Sequence, residues 1–193
     1  SGYNSRWSLE AASRVFKSIV PTPNMLVTVF LGANDAALPA LNSRQHVPVE
    51  EFEENLIKIM APLVKAKAKV IVITPPPFGT EKWQNHLRKH SDNNAIMSDR
   101  DNNVTEQYAE AAKRAAKSVN APCIDLWTSM QEDYPNDAWK ELFKDGLHFA
   151  DEGQVYTYNK IIECIQQHYP DWHINLDIHG RPSSWSKSQL NPL

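Results

Sequence analysis

Two short motifs hold side chains whose types and spacing suit acid–base chemistry. Asp145-Gly146-Leu147-His148 sets a carboxylate three residues ahead of an imidazole. Within one tight loop such a carboxylate can orient the ring, fix its tautomer and stabilise the imidazolium formed when the ring takes a proton. Gly146 permits the chain reversal that would bring the two side chains together. The bland alternative is an Asp turn followed by a surface histidine. Gly32-Ala33-Asn34-Asp35 directly follows an apolar run. At the C-terminal end of a parallel strand, where ligands bind, the Asn34 amide can aim its N–H at a developing negative charge. Gly, Asn and Asp are also common turn formers, and taken alone these four residues read more readily as a plain turn.

Other reactive residue types make weaker cases. His86 and His90 are four apart and can share a helical face, but Leu87-Arg88-Lys89 lie between them where a zinc protease would want a glutamate. A solvated basic face is the better reading. His46, in Gln45-His46-Val47-Pro48, can line a crevice beyond Asn34 or pack its own loop. Cys123 opens an apolar run, at the end of a strand away from any crevice, and makes a poor nucleophile.

The elements that must position these motifs alternate. Met25 to Leu31 and Lys69 to Thr74 are nearly continuous in aliphatic residues, the pattern of parallel strands covered on both faces. Pro122 to Leu126 reads as a third strand. Helical periods fall between them: Leu9, Ala12, Phe16 and Ile19; Phe52, Leu56, Ile59 and Leu63; Val104, Tyr108, Ala111 and Ala115; Val155, Tyr158, Ile162 and Ile165. Pro62 predicts a kink or an early end in the second helix, and Asp151 with Gln154 is spaced like a capping box on the last. The order helix, strand, helix, strand, helix, strand, helix predicts an α/β fold with a doubly wound parallel sheet. The connection from 75 to 100, opening on Pro75-Pro76-Pro77, is long enough to predict a functional or locally structured segment. After Tyr169 no period is visible, and Trp172, Gly180, Pro182 and Trp185 predict an irregular tail.

Composition narrows the function classes. Twenty basic against 23 acidic residues give a net charge of −3, so the chain as a whole offers no basic field for nucleic acid. No apolar run is long enough for a membrane-spanning helix. Two cysteines, Cys123 and Cys164, make no disulfide framework; they read as reduced core residues and predict a cytoplasmic location. The triplet Asn103-Val104-Thr105 has the glycosylation pattern, but it falls on a predicted helix. The sequence opens on Ser1 without a leader pattern, which reads as a processed or truncated start.

In order and context the pieces are more specific than any one of them. Ser1-Gly2-Tyr3-Asn4-Ser5-Arg6-Trp7 resembles the second conserved block of the SGNH (GDSL-like) hydrolases. Gly32-Ala33-Asn34-Asp35 resembles the third, and Asp145-Gly146-Leu147-His148 the fifth. The Gly-Tyr-Asn-Ser-Arg-Trp opening is similar to the isoamyl acetate-hydrolysing esterase group, with support from Ile73-Thr74-Pro75-Pro76-Pro77 and Asp125-Leu126-Trp127-Thr128.

The resemblance runs from residue 1 to about 168 and leaves 169–193 as a tail. It implies a three-layer α/β/α sandwich with a flavodoxin-like parallel sheet, acting on a small-molecule ester without metal or organic cofactor. Residue by residue it implies His148 as general base, Asp145 as its orienting partner, and the Gly2 backbone N–H with the Asn34 amide as oxyanion donors. The family's Gly-Asp-Ser block, at the end of its first strand, has no match in these residues. The resemblance therefore places the nucleophile upstream of Ser1, and implies that this stretch lacks the first strand and is inactive and poorly stable by itself. The competing expectation is a non-catalytic binding protein of the same fold.

Overall fold

The computed structural model describes residues 2–91 and 96–172. Gly180, Pro182 and Trp185 of the expected tail, and Ser1, lie outside the described residues. The order is α1 (Ser5–Ser18), β1 (Leu26–Phe30), α2 (Pro39–Asn42), α3 (Val49–Lys65), β2 (Lys69–Ile73), α4 (Thr80–Lys89), α5 (Asn102–Ser118), β3 (Cys123–Ile124), α6 (Leu126–Asp133) and α7 (Asp151–His168). Short 3₁₀ helices add Ala138–Leu142 and Pro170–Trp172. Among the described residues no helix is long and apolar enough to cross a membrane.

The sheet is parallel, in the order β1-β2-β3, with Leu26 opposite Lys69, Phe30 opposite Ile73 and Ile73 opposite Ile124. β2 shows why its sequence lacks polar alternation. Val70 and Val72 enter one core with Phe52, Leu56, Met60 and Tyr108. Ile71 and Ile73 enter the other with Leu126, Met130, Phe143 and Ile165. Successive strand residues point to opposite faces, so α3 and α5 cover one face and α6 and α7 the other. This is the expected three-layer α/β/α sandwich.

β1 departs from the expected two-sided cover. Thr28 and Phe30 are exposed, and only its β2 side has a neighbour among the described residues. β3 is two residues long, where five were expected. The Asp125 carboxylate ends it by accepting from the Thr128 N–H (3.1 Å) and hydroxyl (2.7 Å), so Leu126 opens a helix instead of closing a strand. Pro62 does not end α3 early. It lies in the last turn, where little helix remains to be disrupted, and α3 runs on to Lys65.

α7 starts on Asp151 itself, with Ala150 as its cap residue, so the capping box does not form. Its buried face is Gly153, Thr157, Cys164 and Ile165; Val155 and Tyr158, expected to be apolar contacts, are exposed. The long connection after β2 contains α4. Tyr169, just after α7, reaches back to the sheet, its hydroxyl donating to the Val70 carbonyl at 2.9 Å.

α3 and α5 approach closely because α5 presents Ala111, Ala112, Ala115 and Ala116, all fully buried. A larger side chain there has nowhere to go. Ala112→Leu is expected to destabilise the fold by about 1–3 kcal/mol, the usual cost of overpacking, read as a lowered urea midpoint. An unchanged midpoint would show that the interface has slack.

Candidate active site

In a parallel sheet all strands end on one side, and the loops after them meet there. Residues 31–35 follow β1 and 74–77 follow β2. Gly32 lets these two loops touch: its φ is +115°, and a β-carbon on it would come within 2.9 Å of the Pro75 ring. Beyond it the chain turns, with the Ala36 N–H donating to the Gly32 carbonyl (2.9 Å) and the Ala37 N–H to that of Asn34 (3.1 Å). The turn formers do make a turn, and the turn aims Asn34 at the cleft.

Asp35 anchors this loop to the start of α1. Its buried carboxylate accepts from the Ser5 N–H at 2.8 Å, a favourable place for negative charge at a helix N-terminus. Burial holds the carboxyl above its ordinary value in spite of the hydrogen bonds from Ser5. The Asn34 amide donates to the Tyr3 carbonyl (2.9 Å) through Nδ2 and accepts from Arg100 (3.0 Å) through Oδ1. A primary amide has two N–H bonds, so one remains after Tyr3 is served.

Asp145 and His148 occupy a reversal between Phe143 and Phe149, which bridge each other with their tilted rings 5.3 Å apart. Phe149 in turn stacks on Phe30 of β1 at 6.4 Å. Gly146 is required twice. Its φ is +93°, and a β-carbon would stand 2.4 Å from the Gly79 carbonyl oxygen and 2.8 Å from the Trp83 nitrogen. One Asp145 oxygen accepts from the Leu147 and His148 backbone N–H groups (2.9 and 2.8 Å). The other lies 2.7 Å from His148 Nδ1. Burial pushes this carboxyl up, but the hydrogen bonds from His148 and Leu147 outweigh it and leave it below its ordinary value. With Nδ1 engaged by an anion, Nε2 is the nitrogen left to exchange a proton. The ring is two-thirds exposed while Asp145 is 12% exposed, so the pair has a buried acid end and an open imidazole end.

Gly2, Asn34 and His148 line one cleft of about 470 Å³, together with Ala33, Asn42, Gln45, Trp83, Asp99, Arg100 and Leu147. The Trp83 ring meets His148 edge-on at 6.0 Å. Among the described residues lining this cleft none carries a hydroxyl or a thiol. A larger groove, about 590 Å³, runs along α1 between Tyr3, Trp7 and Arg44, but it contains neither Asn34 nor His148.

Of the other residues singled out in the sequence, His46 packs its loop, with Nδ1 2.7 Å from the Ala37 carbonyl. The His86 ring on α4 lies 4.5 Å from that of His90, the residue that caps the helix, and His86 stacks on Trp83. Among the described residues no three His, Cys, Asp or Glu side chains gather as metal ligands would. Burial pushes the Cys123 thiol up to about 12, far from a thiolate nucleophile. Trp83, Asp99 and Arg100 escaped the sequence reading. Asp99-Arg100-Asp101 looks like a solvated charge run, and the one usable signal was its place just before a helix start.

The family model for GDSL-like lipase/acylhydrolases matches residues 2–161. The chain belongs to that family. A GDSL esterase/lipase of Arabidopsis thaliana is 36% identical over 170 residues, 86% of this chain and 69% of its own. The isoamyl acetate-hydrolyzing esterase 1 homolog of Bos taurus is 33% identical (86% and 66%), and the isoamyl acetate-hydrolyzing esterase of Saccharomyces cerevisiae 30% (89% and 68%). The chain thus spans about two thirds of the length of these relatives. Among solved structures, a lipase/acylhydrolase from Enterococcus faecalis superposes with a TM-score of 0.64 at 25% identity, covering 86% of this chain and 72% of that one. An acetylxylan esterase from Geobacillus stearothermophilus shares the fold, with a TM-score of 0.64 at 18% identity over 86% of this chain and 68% of that one. The family and these relatives make ester hydrolysis the function class.

The lowered Asp145 carboxyl has a consequence for stability. A carboxyl depressed by folding stabilises the fold above its unfolded value, and that contribution is lost as pH falls through the folded one. The advantage of the native chain over Asp145→Asn is expected to be full at neutral pH and to shrink by about pH 3, measured by chemical denaturation at both. A difference that does not change with pH would contradict the ionised, hydrogen-bonded pair.

Proposed function

We propose that the protein hydrolyses short-chain carboxylic esters through a serine acyl-enzyme, with His148 as general base and Asp145 orienting it. The observation that carries this reading is the 2.7 Å Asp145–His148 contact opening on the same cleft as Gly2 and Asn34. The serine is assigned to a segment preceding Ser1, in keeping with the lack of a hydroxyl or thiol among the described residues that line the cleft. Its O–H bond breaks as the oxygen attacks the ester carbonyl, and the proton passes to His148 Nε2. Charge collects on the former carbonyl oxygen, where the Gly2 backbone N–H and the second Asn34 N–H stabilise it. Collapse expels the alcohol, which takes the proton from His148. Water then repeats the sequence, restoring the serine and releasing the acid.

No step in this scheme calls on a metal or an organic cofactor. Polar walls from Asn42, Gln45, Asp99 and Arg100 suit a small acyl group better than a long alkyl chain. The esters named for the yeast and bovine relatives point the same way. Two free cysteines support a reducing compartment such as the cytoplasm. By themselves, residues 1–193 are proposed to be inactive and to fold weakly, with the open side of β1 taken by the preceding segment.

In the full-length protein, acetate and butyrate esters are expected to turn over with a chelator present, and palmitate esters far more slowly. His148→Ala should nearly abolish turnover, and Asn34→Ala should lower kcat by roughly 10²–10³. Activity lost to the chelator, or an unchanged kcat in Asn34→Ala, would contradict the mechanism.

A further inference from the structure

We infer that Arg100 is the positioning residue of the oxyanion site: it holds the Asn34 amide in its donating orientation and ties Gly2 into the same frame. The inference rests on the oxyanion role proposed above for Asn34 and Gly2.

Arg100 is 4% exposed, although it stands in the wall of a cleft. A guanidinium has five N–H bonds and cannot accept. Each of its three nitrogens has a protein acceptor. Nε donates to the Ala33 carbonyl at 2.9 Å. Nη1 lies 2.8 Å from both oxygens of Asp99. Nη2 serves Asn34 Oδ1, at 3.0 Å, and Gln45 Oε1. With every nitrogen engaged by the protein, Arg100 is taken up by these acceptors and not by a substrate anion. It works on the groups it holds.

Two of those groups lead to the oxyanion donors. The Asn34 amide can present either its oxygen or its nitrogen to the cleft, and the two ends look alike in shape. Arg100 can only donate and the Tyr3 carbonyl can only accept, so the oxygen goes to Arg100 and the nitrogen to Tyr3 and the cleft. The positive charge beside Oδ1 also draws density from the amide, which strengthens its N–H as a donor. Gln45 carries the second link. Its Oε1 accepts from Arg100 and its Nε2 donates to the Gly2 carbonyl at 3.4 Å.

The arginine is itself held in place. Asp99 accepts from Asn42 (2.7 Å) and from the Trp83 indole (2.9 Å) as well as from Arg100. The guanidinium carbon lies 5.9 Å from the Trp83 ring centre, and that ring touches His148. Burial pushes the Asp99 carboxyl up, but Asn42, Arg100 and Trp83 outweigh it and hold it below its ordinary value, so Arg100 faces an anion.

Arg100→Lys keeps the charge but cannot reach five acceptors at once. In the full-length protein it is expected to lower kcat by roughly 10–100-fold, part of the cost of a lost oxyanion donor, with little change in KM. In an Asn34→Ala background the same substitution should cost little more, because residues acting through one group are not additive. Gln45→Leu, a milder change, should also lower kcat through Gly2. Multiplying losses in the double variant, or a raised KM with kcat intact, would overturn the inference. Amide NMR separates it from the reading beneath it. The Asn34 side-chain N–H pair should shift in Arg100→Lys even if Asn34→Ala leaves kcat unchanged, which would refute the oxyanion role alone. An unmoved pair would overturn the positioning role.

Discussion

A guanidinium loses its hydration when it is buried, and the loss is tolerable only if every N–H finds an acceptor. Around Arg100 that requirement draws together parts of the chain that are far apart in sequence. The loop after β1 supplies Ala33 and Asn34, the loop before α3 supplies Gln45, and the approach to α5 supplies Asp99. None of these loops is held by the sheet ladder at that point. Their meeting is enforced by the charge they surround, and the cleft wall is the result. Removing the charge would take a donor from four half-buried polar groups at once, so the arrangement resists partial change.

The sheet does the coarser work. By ending β1 and β2 on the same side it brings Gly32 against Pro75 and sets Asn34 above the strand ends. The Phe143–Phe149 bridge delivers the Asp145–His148 reversal to the same place, resting on Phe30. The rigid layer thus fixes positions to within a loop's reach, and the polar network behind the cleft fixes orientations. Proton transfer and oxyanion stabilisation both depend on orientation, because an amide turned end for end repels the charge it should hold.

Sequence reasoning reached the parts whose causes are local. β2 was legible because two-sided burial leaves an unbroken aliphatic run, and Asp145–His148 because three residues and a glycine suffice to close the contact. β3 was misread because Asp125 chose a helix cap over a ladder, a competition that the apolar pattern does not record. On α7, Val155 and Tyr158 keep the helical period but face solvent; the true seam runs through Gly153 and Thr157, which carry little hydrophobic signal. Arg100 was invisible for the opposite reason. Its five acceptors come from residues up to 67 positions away, and in sequence a flanked arginine is indistinguishable from a surface charge.

The central claim is that Gly2, Asn34, Asp145 and His148 form one acyl-transfer site completed by a serine from outside these residues. The most direct test is the structure of the full-length protein inhibited by a small organophosphonate ester, which captures the tetrahedral geometry on the nucleophile. The account predicts phosphorus bonded to a serine preceding Ser1 and within reach of His148 Nε2. The phosphonyl oxygen should then lie about 2.7–3.1 Å from the Gly2 nitrogen and from Asn34 Nδ2. Phosphorus on a residue within 1–193, or a phosphonyl oxygen turned away from Asn34, would contradict it.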